Sequence, residues 1–229
     1  MIELYFWPTP NGYKPLIALE EFQLPYQIVP LNIFQGEQFS AEYLSIAPNN
    51  RIPAIVDHAP ADGGKPLTLF ESGAILHYLS RKADKRSDRP ARVELEESQW
   101  LFWQMGGLGP MMGQASHFIN YAPEDVPYAR SRYLDETRRL VGVMEKRLGD
   151  REYLAGDYSI ADMAAFPWVR LHDIVGIEIA RSYPALADWV ARIERRPAVV
   201  RAYAAGEPLK AGQVLDAAAR KYLFGQGQL

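Results

Sequence analysis

The stretch MIELYFWPTPNGYKPLIALEEF, Met1–Phe22, decides how the rest of the chain is read. Ile2–Trp7 is an apolar run that reads as a strand, and Pro8-Thr9-Pro10-Asn11-Gly12 reads as a turn. YKPLIALEEF (13–22) reads as a helix, with Leu16, Leu19 and Phe22 at i, i+3 and i+6. A strand that runs through a proline-rich turn into a helix puts side chains beside backbone N–H groups that have no intrahelical partner. Here those side chains are the hydroxyl of Thr9 and the amide of Asn11, and the chain contains no Cys at all. Neither group is an acid, base or nucleophile without an activating neighbour. Both donate hydrogen bonds to an anion, and either serves equally as a cap for the helix.

Outward from this stretch the elements alternate in type. YQIVPL is a second strand, with Pro30 placing it at an edge or near its end, and SAEYLSI is a short helix. AIVD is a third strand, HAPADGGKP a turn, LTLF a fourth strand and SGAILHYLSRK a helix with basic residues in its last turn. The expected order is β-α-β-α-β-β-α, a compact α/β domain over 1–82. Residues 83–90 are polar and read as a linker. From 91 to 205 only helical periodicity is found: a helix through ELEESQWLFWQM that GGLGP (106–110) should interrupt, one over 128–148, one from YSIADMAAFPW and one over YPALADWVARIERRP. Ser159 and Asp162 are placed as a capping box, and Pro167 should kink that helix. Residues 206–229 form a weakly patterned C-terminal extension with a short helix near VLDAAARKYLF.

Composition narrows the function. At 229 residues and 48% hydrophobic content the chain has material for a packed core, and a net charge of −3 with no basic run argues against nucleic acid as a partner. No apolar stretch approaches the roughly 18 residues of a membrane span, and the N-terminus has no secretory pattern. The lack of Cys excludes a disulfide framework and thiolate metal sites, and His58, His77, His117 and His172 show no metal spacing. The expectation is a cytoplasmic protein without a metal.

Two further stretches carry chemistry. In NNRIPAIVD, Ile52-Pro53 precedes a strand. A cis bond there presents the Ile52 backbone N–H and C=O to an extended peptide, while a trans proline merely ends a loop. In LFESGAIL, Ser72 opens a helix, where the dipole attracts a carboxylate, and Glu71 beside it suits an ammonium; a plain serine N-cap is the simpler reading.

In this order the features resemble the glutathione transferase family over residues 1 to 205, most closely at YFWPTPNG, APNNRIPAIVDHAPADGG, LFESGAILHYL, QWLFWQMGGLGPMMGQ and YSIADMAAFPW. The chain is most similar to the bacterial nu-class branch, glutathione-dependent disulfide-bond reductases whose relatives include a fungal nitrogen regulator. The resemblance implies a thioredoxin-like α/β N-terminal domain, an all-α helical C-terminal domain and a homodimer that binds glutathione in its reduced or disulfide form. It implies that Ile52, before a cis Pro53, pairs with the cysteinyl backbone of glutathione, and that Glu71 and Ser72 hold its γ-glutamyl end. Gln38 and Arg51 fall where the family contacts the rest of the tripeptide, and Arg132 matches a helical-domain arginine that reaches it. Arg51 stands where many relatives have Lys, which keeps the charge and changes the hydrogen-bond geometry. Tyr5 lies inside the strand, before the turn, and reads as structural.

A borrowed thiol then explains the missing Cys. A free thiol titrates near about 8.5, and one hydrogen bond to the thiolate, at about 1.5–3 kcal/mol, lowers that by roughly 1–2 units. Thr9 supplies that bond in this reading, with Asn11 and the helix start assisting. The partners are small-molecule thiols and disulfides. Conjugation of electrophilic small molecules by the same thiolate, or non-catalytic binding of glutathione for regulation, are the alternatives.

Overall fold

The computed structural model describes residues 1–83, 90–211 and 213–225. Among these, the residues of Met1–Lys85 and Pro197–Leu229 form one compact unit and those of Arg86–Arg196 a second. Most of the expected linker, 84–89, lies outside the described residues.

The first unit begins with β1 (Ile2–Phe6), α1 (Pro10–Glu21), β2 (Tyr26–Pro30), a 3-10 turn at Glu37–Phe39, α2 (Ala41–Ile46), β3 (Ala54–Asp57), β4 (Leu67–Phe70) and α3 (Ser72–Ala83). The strands make one mixed sheet in the order β2-β1-β3-β4, with β1 and β2 parallel and the β1–β3 and β3–β4 pairs antiparallel. Parallel pairing of β1 and β2 follows from the helix between them, since a parallel neighbour needs a crossover. Pro30 ends β2 on the sheet's edge, where its missing N–H breaks no interior ladder. Ile2, Leu4 and Phe6 alternate as the buried residues of β1, and β3 is buried along its whole length. Leu16, Ile17 and Leu19 of α1 and Ile75, Leu76 and Leu79 of α3 complete the core. At the end of β3 the buried Asp57 carboxylate accepts from Tyr78 at 2.5 Å and pairs with Lys82 at 2.7 Å, tying the strand to α3.

α1 begins earlier than its apolar stripe indicates. Thr9 is the N-cap, Pro10 occupies the first helical position, and Phe22 is the C-cap rather than a member of the stripe. Proline at that position loses no hydrogen bond and has the required φ, so the turn folds directly into the helix.

The second unit contains α4 (Ala91–Trp103), α5 (Gly109–Ser116), α6 (Pro127–Leu148), α7 (Ile160–Val169), the single turn α8 (Ile179–Ser182) and α9 (Pro184–Glu194). GGLGP does not break the helix as expected. A π-helical turn at Gln104–Leu108 carries α4 into α5, and Pro110 falls in the first turn of α5. A wider turn absorbs the mismatch in backbone bonding that Pro and Gly create. The capping box at the start of α7 is present, with the Ser159 N–H donating to Asp162 at 3.1 Å. Asp162 also accepts from the Leu154 N–H at 3.0 Å and the Trp189 indole at 2.9 Å, and burial pushes its carboxyl up to about 6. Pro167 lies inside α7.

Pro197 ends the preceding helical pattern and starts another: α10 (Pro197–Gly206), a helix that the apolar periodicity does not mark off, returns to the first unit. Tyr203 stacks on Tyr13 of α1 with ring centroids 4.1 Å apart, and the Arg201 guanidinium donates to Glu20 at 2.6 Å. The described part of the extension contains α11 (Ala217–Phe224), capped by Asp216, which accepts from the Ala219 N–H at 2.8 Å.

Candidate active site

The opening turn is built tightly. The Thr9 N–H donates to the Trp7 carbonyl at 2.7 Å, and Thr9 Oγ1 accepts from the Gly12 N–H at 3.2 Å. A hydroxyl that accepts one bond keeps its own proton to donate. Gly12 is required by space: a Cβ there would stand 2.2 Å from the Trp7 carbonyl oxygen. Asn11 is therefore held in the first turn of α1 by constraints on both sides.

Asn11 lines a cleft of about 290 Å³ together with Asn49, Arg51, Ile52, Pro53, Phe70, Glu71 and Ser72. The cleft brings three separate sequence segments together: the β1–α1 turn, the stretch before β3 and the β4–α3 junction. The Ile52-Pro53 peptide bond is cis. Arg51 is exposed and its guanidinium makes no ion pair among the described residues. Its carbonyl accepts from the buried Tyr43 hydroxyl at 2.7 Å, which fixes the segment from α2. Burial pushes the Tyr43 phenol well above its ordinary range.

Glu71 adopts φ +69°, a left-handed backbone that a non-glycine residue holds at a cost of about 1–3 kcal/mol. The turn occurs at Glu71, whose carbonyl accepts from the Ile75 N–H at 2.9 Å, so Ser72 is the first residue of α3 rather than its N-cap. The arrangement lifts the Glu71 carboxylate into the cleft, where it accepts from the Asn49 amide at 3.5 Å. Ser72 is buried at the positive end of α3. A cleft lined by Glu71, Arg51 and two helix starts suits an extended zwitterionic peptide.

Lys14, one turn beyond Asn11 on α1, is buried. Burial brings its ammonium down to about 7, opposed by the Glu71 carboxylate. The sequence carries no cue to this, because a lysine at that spacing reads as a surface charge. Asn49 and Phe70 lie within NNRIPAIVD and LFESGAIL, where the sequence reading singles out their neighbours instead.

Three expected site residues do not line the cleft. Thr9 stands two residues before Asn11 as the cap. Gln38 is buried, with its Nε2 donating to the carbonyls of Ile33 at 3.3 Å and Tyr222 at 3.4 Å. Arg132 is exposed on α6 of the second unit. Tyr5 packs its ring 5.6 Å from that of Tyr43 in the first unit. A second cleft of about 340 Å³ opens between Trp7, Asn32 and Phe34 on one side and the C-terminal segment, including Val214 and Tyr222, on the other. Among the described residues no cluster of three or more His, Cys, Asp or Glu side chains is placed to hold a metal, and no helix is long and apolar enough to cross a membrane.

Residues 1–81 match the family model Glutathione S-transferase, N-terminal domain, and residues 114–197 match Glutathione S-transferase, C-terminal domain. The chain is 52% identical over 203 residues to the disulfide-bond oxidoreductase YfcG of Escherichia coli K12, covering 88% of this chain and 94% of that protein. Among solved structures, a glutathione transferase of Burkholderia graminis with two glutathione molecules bound per subunit is similar at TM-score 0.82 and 42% identity. That match covers 93% of this chain and 88% of the other. A glutathione transferase of Pseudomonas putida with one glutathione disulfide bound per subunit matches at TM-score 0.81 and 40% identity, over 93% of this chain and 92% of the other.

Proposed function

The chain belongs to the glutathione S-transferase family, and from that footing we propose that it is a glutathione-dependent disulfide-bond reductase. The observation that carries the proposal is the convergence of Asn11, Arg51, Ile52, Pro53, Glu71 and Ser72 on one cleft beside a Thr-capped helix start, in a chain without Cys.

Glu71 receives the α-ammonium of the γ-glutamyl end and Ser72, at the start of α3, its carboxylate. The Ile52 backbone pairs with the cysteinyl residue, Arg51 meets the glycyl carboxylate, and Gln38 adds to the contacts. This sets the sulfur toward the β1–α1 turn. There the Thr9 hydroxyl, its oxygen already bonded to the Gly12 N–H, donates to the sulfur, and Asn11 and the N-terminal end of α1 add to the favourable field. The thiolate attacks one sulfur of a disulfide and expels the other as a thiolate, which takes a proton from solvent. A second glutathione displaces the remaining thiol and leaves as glutathione disulfide. One disulfide is reduced to two thiols as two glutathione molecules are oxidised, and the protein itself changes no oxidation state. No general base is needed once the thiolate is stabilised.

The same reading sets the reaction in the cytoplasm, where glutathione is kept reduced. It makes the protein a homodimer, a view supported by Leu95 and Phe102. These lie seven residues apart on one face of α4 and are left 65% and 68% exposed.

The test is steady-state reduction of a small mixed disulfide by glutathione, coupled to glutathione reductase, run beside conjugation of an aryl halide. Disulfide turnover well above conjugation is expected. Conjugation without disulfide turnover would instead make the protein a transferase in the ordinary sense.

A further inference from the structure

The loop after β2 is held by the far end of the chain. Gln38, in the 3-10 turn at Glu37–Phe39, is only 2% exposed, and the Tyr222 carbonyl that accepts from it lies 184 residues further on. The Tyr222 ring lies over Gly36, which has φ +79°, and a Cβ at Gly36 would stand 2.8 Å from that ring. Both conditions exclude a side chain there. The Phe39 ring is 6.4 Å from the same tyrosine ring. Three neighbours within one short loop therefore meet a single residue of α11.

A cleft of about 340 Å³ lies between this loop and the C-terminal segment, with Tyr222 among its lining residues. The loop also reaches the opening turn. The Leu31 N–H donates to the Phe6 carbonyl at 3.0 Å, the Phe34 ring is 6.5 Å from that of Trp7, and the Trp7 carbonyl accepts from the Thr9 N–H. The family-model matches end at residue 197, so α11 lies outside both.

We infer that α11 is a working part of the glutathione site, with Tyr222 as a positioning residue that sets the 32–39 loop and, with it, the Gln38 assigned to glutathione. The inference rests on the reading that the cleft binds glutathione. A loop fixed before the ligand arrives spares the entropy of ordering it on binding, and that difference appears in affinity. Tyr222 does not line the candidate cleft itself, so it acts on glutathione binding and not on the attack.

The experiment titrates glutathione calorimetrically into wild type, Tyr222→Ala and Tyr222→Phe, with kcat and KM measured on the same samples and amide exchange followed over 32–39. Tyr222→Ala is expected to raise Kd and KM for glutathione roughly tenfold while kcat at saturation stays within about twofold. Exchange over 32–39 should rise in that variant and fall again with saturating glutathione. Tyr222→Phe, which keeps the ring, should match wild type. Should the alanine variant not fold, Tyr222→Leu carries the same comparison. Equal glutathione affinity in wild type and the variant lacking the ring, with the loop's exchange unchanged, overturns this inference alone. A wild-type protein that binds no glutathione overturns the reading beneath it as well.

Discussion

The hydroxyl of Tyr43 donates to the carbonyl of Arg51 across 2.7 Å, and this bond joins α2 to the segment that lines the cleft ahead of β3. Tyr43 is 1% exposed and packs in a small cluster with Leu31, Ala47 and Ala54, so the donor is fixed by burial. Tyr43→Phe keeps the packing and removes the bond. The expected outcome is a loss of about 1 kcal/mol in chemical denaturation and a severalfold higher KM for glutathione at unchanged kcat.

Thr9 has two separable duties. Its oxygen caps α1, and its proton is assigned to the glutathione sulfur. Thr9→Ser keeps both and should retain activity. Thr9→Ala removes both, losing about 1 kcal/mol of stability as a cap and roughly 10–100-fold in kcat as a thiolate donor. Ultraviolet titration of the thiolate of bound glutathione separates the two, because a lost cap alone leaves the thiol pKa where it was.

Glu71 predicts opposite effects on stability and binding. Glu71→Gly relieves the positive φ and should stabilise the fold by about 1 kcal/mol in thermal or urea unfolding. The same change deletes the carboxylate assigned to the γ-glutamyl ammonium and should raise Kd for glutathione at least tenfold by calorimetry. A Glu71→Gly protein that binds glutathione normally would remove Glu71 from the site.

Lys14 predicts a pH dependence. Its folded value, about 7, is below its ordinary value of 10.5, because burial disfavours the charged form. Between those values the unfolded chain holds a proton that the folded chain has released, so the contribution of Lys14 to stability rises with pH through that window. Below about 7 the burial of the charge counts in full against the folded state. Wild-type stability relative to Lys14→Met should therefore increase by on the order of 2 kcal/mol from about pH 6 to about pH 9. Paired urea unfolding curves check this, and a flat difference would mean that Lys14 stays charged when buried.

The fold was legible wherever a local pattern and a tertiary constraint agreed. The apolar run Ile2–Trp7, the basic last turn of SGAILHYLSRK and the Ser159–Asp162 box each announce an element through residues close in sequence. GGLGP misled because local propensity marks Gly and Pro as breakers, whereas a π-helical turn keeps the backbone bonded through them. The candidate site was legible in Asn11, Ile52, Pro53, Glu71 and Ser72, which sit at turns and helix starts where residue type reports backbone geometry. Tyr43 and Lys14 were not, since their importance comes from burial against distant segments and a single sequence carries no sign of it. The same holds for the hydrogen bond from Gln38 to Tyr222, which spans 184 residues.

The return of α10 and α11 to the first unit makes the second unit an insertion within the first along the chain. During synthesis the strands of the glutathione unit emerge first, yet Tyr203 and Tyr222, which stack on Tyr13 and cover Gly36, emerge only after the whole insertion has been made. The unit that starts earliest is thus completed last. Its sheet waits through more than a hundred residues of translation with the α1 surface that faces α10 uncovered, while every residue of the helical insertion is already in hand.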